Sequence, residues 1–267
     1  MSTAELVAPQ LPYLRRYARA LTGSQAAGDA YVAATLEALI NDPDQFADTT
    51  NPRLALFRVF TVIWNSLAVN ERRETVEKDL PAEARLAEIT PLPRQAFLLS
   101  CLEGFGEEES AQILDTGIDE IRRLVDEAGR ELAEDIATEI MIIEDEPLIA
   151  MDLESLVESL GHSVTGVART RDEAVKLAGD KRPGLILADI QLADGSSGLD
   201  AVNDLLETFQ APVIFITAYP ERFLTGERPE PAFLIAKPFQ PANVSAVISQ
   251  ALFFQQTAQR RQPARSA

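Results

Sequence analysis

The sequence predicts a two-part protein: an all-α half up to about residue 137, then an α/β half built on a doubly wound parallel sheet. Two observations predict this. In the first half apolar residues recur every three or four positions, the helical period. From residue 138 short apolar runs alternate with helical stretches, the pattern of a parallel sheet. A third observation points to chemistry, because each of four apolar runs closes on a polar group. Glu144 and Asp145 follow the run 140–143, and Asp189 follows 185–188. Thr217 follows 213–216, and Lys237-Pro238 follows 233–236.

Taken in order, Leu11, Leu14, Tyr17, Ala18 and Leu21 mark the apolar face of a first helix. Thr22-Gly23-Ser24 breaks it, and Ser24 is placed to cap the next helix, which runs to about Ile40. Pro43 ends that pattern. A third helix opens at Pro52, a residue suited to a first turn, and carries Leu54, Phe57, Phe60, Ile63, Trp64 and Leu67. Residues 71–90 read as a charged connector, with room for partial helix in 71–80 before Pro81. Three short helices follow at about 93–103, 107–115 and 118–135, broken at Gly104-Phe105-Gly106 and Thr116-Gly117. The expected parts are therefore 1–70, the connector 71–90, 91–137, an α/β part at 138–258 and a disordered tail at 259–267. In the α/β part strands are expected at 139–144, 163–167, 184–189, 212–217 and 232–236. Helices are expected at 147–160, 170–179, 197–208 and 241–256. Between strands four and five, Pro220, Gly226, Pro229 and Pro231 allow only a short helix.

Composition bounds the partners. The 267 residues carry a net charge of −18. Residues 1–137 hold 13 basic and 24 acidic groups, net −11, and residues 138–267 hold 11 and 18, net −7. Both halves repel a polyanion, so nonspecific nucleic-acid binding is disfavoured and a basic protein is the natural complement. No apolar run reaches the length of a membrane span, and the N-terminus lacks the pattern of a secretory signal. One cysteine, Cys101, excludes an internal disulfide and fits a reducing cytoplasm; its leucine neighbours predict a buried, inert thiol.

The strand ends carry the site. In a parallel sheet of this kind ligands sit at the carboxyl edge. Three carboxylates, a hydroxyl and an ammonium meet there. Mg²⁺ takes hard oxygen ligands, and Glu144, Asp145, Asp189 and the backbone carbonyl of Gln191 are the expected set. Asp189 is the candidate phosphoacceptor, since a carboxylate can take a phosphoryl group as a mixed anhydride. Thr217 is placed to donate to one phosphoryl oxygen, and Lys237 to pair with another and with Asp189 beforehand. Such transfer is mostly positioning and charge neutralisation, so no separate base is required. A lone acid after a strand is commonly a turn or cap. What sets this group apart is joint spacing: 44 residues from Asp145 to Asp189, 28 to Thr217 and 20 to Lys237, which fit the crossover units between strands, the first gap holding two of them.

On these residues 138–258 resemble the receiver domains of two-component response regulators. The resemblance implies a flavodoxin-like sheet in the order 2-1-3-4-5, with a sensor histidine kinase or phosphotransfer protein as donor. One position departs: three residues before the lysine, where receivers usually carry an aromatic switch residue, stands Leu234. Tyr219 and Phe233 are the candidates to replace it.

The helical half resembles extracytoplasmic-function sigma factors. Residues 11–40 match region 2. Residues 91–135 match region 4, a helix-turn-helix, through a Leu-Pro-Arg start, a Leu-Glu-Gly-Phe turn and a Glu-Glu-Glu-Ser-Ala helix. The recognition helix departs decisively. Residues 118–135 set Arg122, Arg123 and Arg130 against Asp119, Glu120, Asp126, Glu127, Glu131, Glu134 and Asp135, net −4. A helix entering a DNA groove needs cations near phosphate, so no DNA partner is expected. Sigma-like half first and receiver last is the order of the PhyR-type general stress response regulators. That resemblance implies an anti-anti-sigma factor: phosphorylated Asp189 frees the sigma-like part to sequester a NepR-type anti-sigma factor. The alternative is a phosphorylation-dependent regulator that contacts DNA or RNA polymerase. Neither reading makes the chain an enzyme.

Overall fold

The computed structural model describes residues 3–46, 50–76, 92–133, 137–192, 197–226 and 230–261. The chain divides into two compact units. One gathers Met1–Arg130 with Glu221–Ala232, and the other gathers Glu131–Pro220 with Phe233–Ala267.

The first unit is helical: α1 Thr3–Val7, α2 Leu11–Thr22, α3 Gln25–Asn41, α4 Pro52–Val76, α5 Leu92–Cys101, α6 Glu107–Leu114 and α7 Ile118–Ala133. Helix α2 stops where Gly23 turns left-handed at φ 65° and returns its N–H to the Arg19 carbonyl. Ser24 then caps α3 by accepting from the Ala27 N–H. The two helices pack backbone to backbone, because a Cβ at Gly28 would lie 2.7 Å from the Arg19 nitrogen. Tyr17, Phe57, Phe60, Tyr31 and Trp64 form an aromatic core, and Phe105 from the turn after α5 meets Phe57 at 4.9 Å between centroids. Inside it sits a wholly buried carboxylate, Glu103. It accepts from Arg16 Nε and Nη2 and from Arg53 Nη2, each at 2.9 Å. Arg53 also lies over the Phe105 ring at 4.5 Å. This pairing ties α2 and α4 to the turn after α5.

The segment Glu221–Ala232 belongs to the helical unit, although it connects two strands of the other. Arg19 holds it. This guanidinium donates to both oxygens of Asp29 on α3, to Glu230 Oε2 at 2.8 Å and to the Phe223 carbonyl. Arg15 donates to the Leu224 carbonyl, and the Glu230 N–H donates to Gln25 Oε1.

The second unit is a five-stranded parallel sheet in the order β2-β1-β3-β4-β5, with β1 Glu139–Ile143, β2 Ser163–Ala168, β3 Leu185–Asp189, β4 Val213–Thr217 and β5 Phe233–Ala236. The crossovers are α8 Pro147–Ser159, α9 Arg171–Asp180 and α10 Gly198–Leu206, and α11 Pro241–Arg261 follows the last strand. Central β3 is buried along its length, as a sheet covered on both faces requires. Between β4 and β5 the only helical turn among the described residues is the short 3-10 stretch Pro220–Phe223.

The structure refines four expectations. The third predicted helix passes Leu67 and continues to Val76, into the expected connector; arginine and glutamate there are good helix formers without an apolar stripe. The rest of that connector, 77–90, lies outside the described residues. The last helix runs to Arg261, so 259–261 are not part of a disordered tail. Cys101 is half-buried at the end of α5, not fully withdrawn from solvent. By its contacts the segment 221–232 groups with the helical unit, although it lies inside the stretch 138–258 expected as the α/β part.

Candidate functional site

Each predicted site residue stands at the carboxyl edge of the sheet. Glu144 extends β1 and donates its N–H to the Ala168 carbonyl. Asp189 ends β3 and Thr217 ends β4. Lys237 follows β5, and its N–H reaches the Thr217 carbonyl at 2.7 Å; its peptide bond to Pro238 is cis. The apolar strands carry their closing polar residues out of solvent: Glu144 and Thr217 are each 1% exposed and Asp189 is 7% exposed.

The side chains converge. Lys237 Nζ donates to Asp189 Oδ2 at 2.6 Å and to Glu144 Oε1 at 3.1 Å. Glu144, Asp145 and Asp189 each offer an oxygen within 4.8 Å of the others. The Gln191 N–H holds Asp189 Oδ1 at 3.0 Å. Thr217 Oγ1 accepts from the Tyr219 N–H, which leaves its own proton for donation. Of the two aromatic candidates, Tyr219 is exposed beside Thr217, whereas Phe233 packs against Phe254 of α11.

The electrostatics fit a cation. Burial raises the Glu144 carboxyl above the usual range, and the lysine only partly opposes this. Burial works against the Lys237 ammonium, yet bonds to Asp189 and Glu144 outweigh it and raise its pKa. Glu144 Oε2 is buried and pairs with the Lys237 ammonium at 2.9 Å, its one partner among the described residues. Three carboxylates with oxygens within 4.8 Å of one another suit a hard divalent ion.

Two contributors escaped the sequence reading. Glu146 lies 3.7 Å from Lys237 and gives its N–H to Glu144. Gly198 opens α10 directly against Asp189: a Cβ there would overlap the Asp189 carbonyl oxygen. The only signal for it was a glycine at the start of a predicted helix, where glycine is otherwise costly.

Two arginines on the predicted recognition helix, α7, are already engaged. Arg122 pairs with Glu107 and Asp119, and Arg123 pairs with Glu120 and Glu127. Hydrogen bonds from these arginines hold Glu107 and Glu120 below the usual carboxylate range.

Family models match along most of the chain: the sigma2 domain of PhyR at residues 7–61, the sigma-like domain of response regulator PhyR at 86–135, and a response regulator receiver domain at 140–249. The phyllosphere-induced regulator PhyR of Methylorubrum extorquens is 77% identical over 263 residues, 98% of either chain. The chain belongs to the PhyR family of response regulators. Solved PhyR structures agree with the fold. The response regulator PhyR from Brucella abortus is 54% identical, with a TM-score of 0.85 over 97% of each chain. The anti-anti-sigma factor PhyR from Bartonella quintana is 52% identical, with a TM-score of 0.86 over 97% of this chain and 99% of that one. The PhyR family thus accounts for both the sigma-like helices and the receiver sheet.

Proposed function

We propose that this chain is a phosphorylation-activated anti-anti-sigma factor, a cytoplasmic regulator and not an enzyme. Asp189 takes a phosphoryl group from a sensor histidine kinase or phosphotransfer protein. The sigma-like helices then sequester a NepR-type anti-sigma factor and release the stress sigma factor. One observation carries the reading: the Lys237 ammonium bridges Asp189 and Glu144 in a chain whose first half is sigma-like. The name of the Bartonella quintana relative supports the same direction.

Glu144, Asp145 and Asp189 would hold Mg²⁺ with the Gln191 carbonyl. When bound there, the ion would offset repulsion between carboxylate and incoming phosphate. An Asp189 oxygen forms the new bond to phosphorus as the donor's bond to it breaks, giving an acyl phosphate. Lys237 then transfers its ion pair to a phosphoryl oxygen, and the Thr217 hydroxyl donates to another. The added charge shifts a two-state equilibrium toward the partner-binding form. In α7 the paired arginines leave little free positive charge for DNA phosphates.

The test is affinity for the purified anti-sigma factor with and without acetyl phosphate and Mg²⁺. Phosphorylation should tighten binding, and Asp189→Ala should abolish the gain. Equal affinities would overturn the reading. Sequence-dependent retention of promoter DNA in a low-salt gel shift would favour a DNA-contacting regulator instead.

A further inference from the structure

The N-terminal side of the helical unit carries a groove that the phosphoryl site does not use. Ala4 and Val7 of α1 face Leu36, Leu39 and Ile40 of α3, and Pro43 closes one end, around a space of about 440 Å³. Its floor belongs to the core, with Val7 and Leu39 each 5% exposed. Its lip does not, since Ile40 is 77% exposed near the end of α3, where a polar residue would serve the helix as well. Leu36, Leu39 and Ile40 are spaced i, i+3 and i+4, so they form one stripe along the helix.

Among the described residues, the charged side chains on the elements that line the groove are all acidic. The same elements expose Glu5, Glu37, Asp42 and Asp44. From Ala20 to Pro52 the sequence holds Asp29, Glu37, Asp42, Asp44 and Asp48 and no lysine or arginine. An apolar trough whose described lining elements carry acids and no lysine or arginine selects its occupant.

We propose that this groove docks an amphipathic helix of a partner protein. The helix fills the trough with an apolar stripe and carries lysine or arginine on its flanks. A second copy of this chain, with net charge −18, would set acid against acid, and a polyanion is excluded on the same ground. Among the described residues the groove lies open in this conformation, so its occupancy goes beyond the phosphoryl-controlled function above and does not depend on it.

The test uses the full chain and a fluorescent peptide of about five helical turns, with a leucine stripe flanked by lysines. A twin peptide carries glutamates in their place. Anisotropy should show saturable binding of the lysine peptide that weakens as salt rises, with the twin at least about tenfold weaker. Ile40→Lys changes a side chain already in water and should weaken the lysine peptide about tenfold. Asp189→Ala should leave peptide binding unchanged. No binding, equal binding of the twins or an indifferent Ile40→Lys would overturn the proposal. So would sedimentation showing that Ile40→Lys dissolves a self-associated form, which would assign the groove to a second copy. If the peptide docks as expected while phosphorylation leaves anti-sigma affinity unchanged, the function proposed above falls and the groove stands.

Discussion

The Arg19 guanidinium lies 2.8 Å from the Glu230 carboxylate, and both side chains are fully withdrawn from solvent. The pair is unusual in that each member keeps other partners. Arg19 has both oxygens of Asp29. Glu230 accepts from the Thr225 N–H and hydroxyl and from the Gly226 N–H. Breaking the pair therefore strands neither charge.

Glu230→Ala should cost about 1–2 kcal/mol, less than the roughly 3–5 kcal/mol of a buried ion pair cut on one side, because Asp29 still neutralises Arg19. Hydrogen exchange in the Glu221–Ala232 segment should accelerate, while α2 and α3 stay protected. The pH dependence has a definite sign. Burial would raise the Glu230 carboxyl, but hydrogen bonds from Thr225, Gly226 and Arg19 hold it below the usual range. Its stabilisation is present above the unfolded carboxylate pKa and disappears as pH falls through the lower folded one. Urea unfolding from about pH 6 to about pH 3 should show a flatter acid limb in Glu230→Gln than in the parent.

Lys237→Met removes the cation shared by Asp189 and Glu144 and should destabilise the receiver unit by about 3 kcal/mol without Mg²⁺. Adding Mg²⁺ should raise the melting temperature of the variant more than that of the parent, since the carboxylates then repel unopposed. In the parent the raised lysine pKa contributes stability below the ordinary lysine value and loses it as pH climbs through the folded one. Thermal melts across the alkaline range check both statements.

Gly198→Ala should impair the site without touching a charged group. The added methyl displaces the Asp189 carbonyl, and a shift of about 1 Å in a reacting group can cost on the order of a hundredfold in rate. Phosphoryl uptake from acetyl phosphate should fall steeply, and helical circular dichroism should be nearly unchanged. Uptake equal to the parent's would remove Gly198 from the positioning role.

Cys101 offers a quieter check. Burial pushes its thiol up to about 11, so little thiolate exists near neutrality. Iodoacetamide should label the native protein slowly at about pH 8 and much faster in urea, where the thiol returns to about 8.5. Labelling at the same rate in both would contradict the environment described for the end of α5.

The strands and the phosphoryl site were legible because both are local. An apolar run such as 185–188, short and preceded by Pro183-Gly184, reads as a buried strand, and parallel topology brings Asp189 after it to the edge where Glu144, Thr217 and Lys237 also stand. Helices that depend on propensity alone were cut short. Val76 and Arg261 lie in polar stretches with no apolar stripe to read. Least legible were pairings across long separations. Nothing near Glu103 announces Arg16, and nothing near Glu230 announces Arg19, because a buried ion pair leaves no periodic trace in either segment. Gly198 was missed for a related reason: its role is the absence of an atom.

Because residues 221–232 are folded with the helices while their flanks are strands of the sheet, no single cut of the backbone yields two intact pieces. A receiver severed near residue 137 carries away Glu230 and leaves Arg15 and Gln25 without the loop that occupies them. Grafting a foreign receiver onto these helices would fail unless that twelve-residue excursion travelled with it. Input modules in such a protein are exchangeable only together with the loop through which they are sewn to the output.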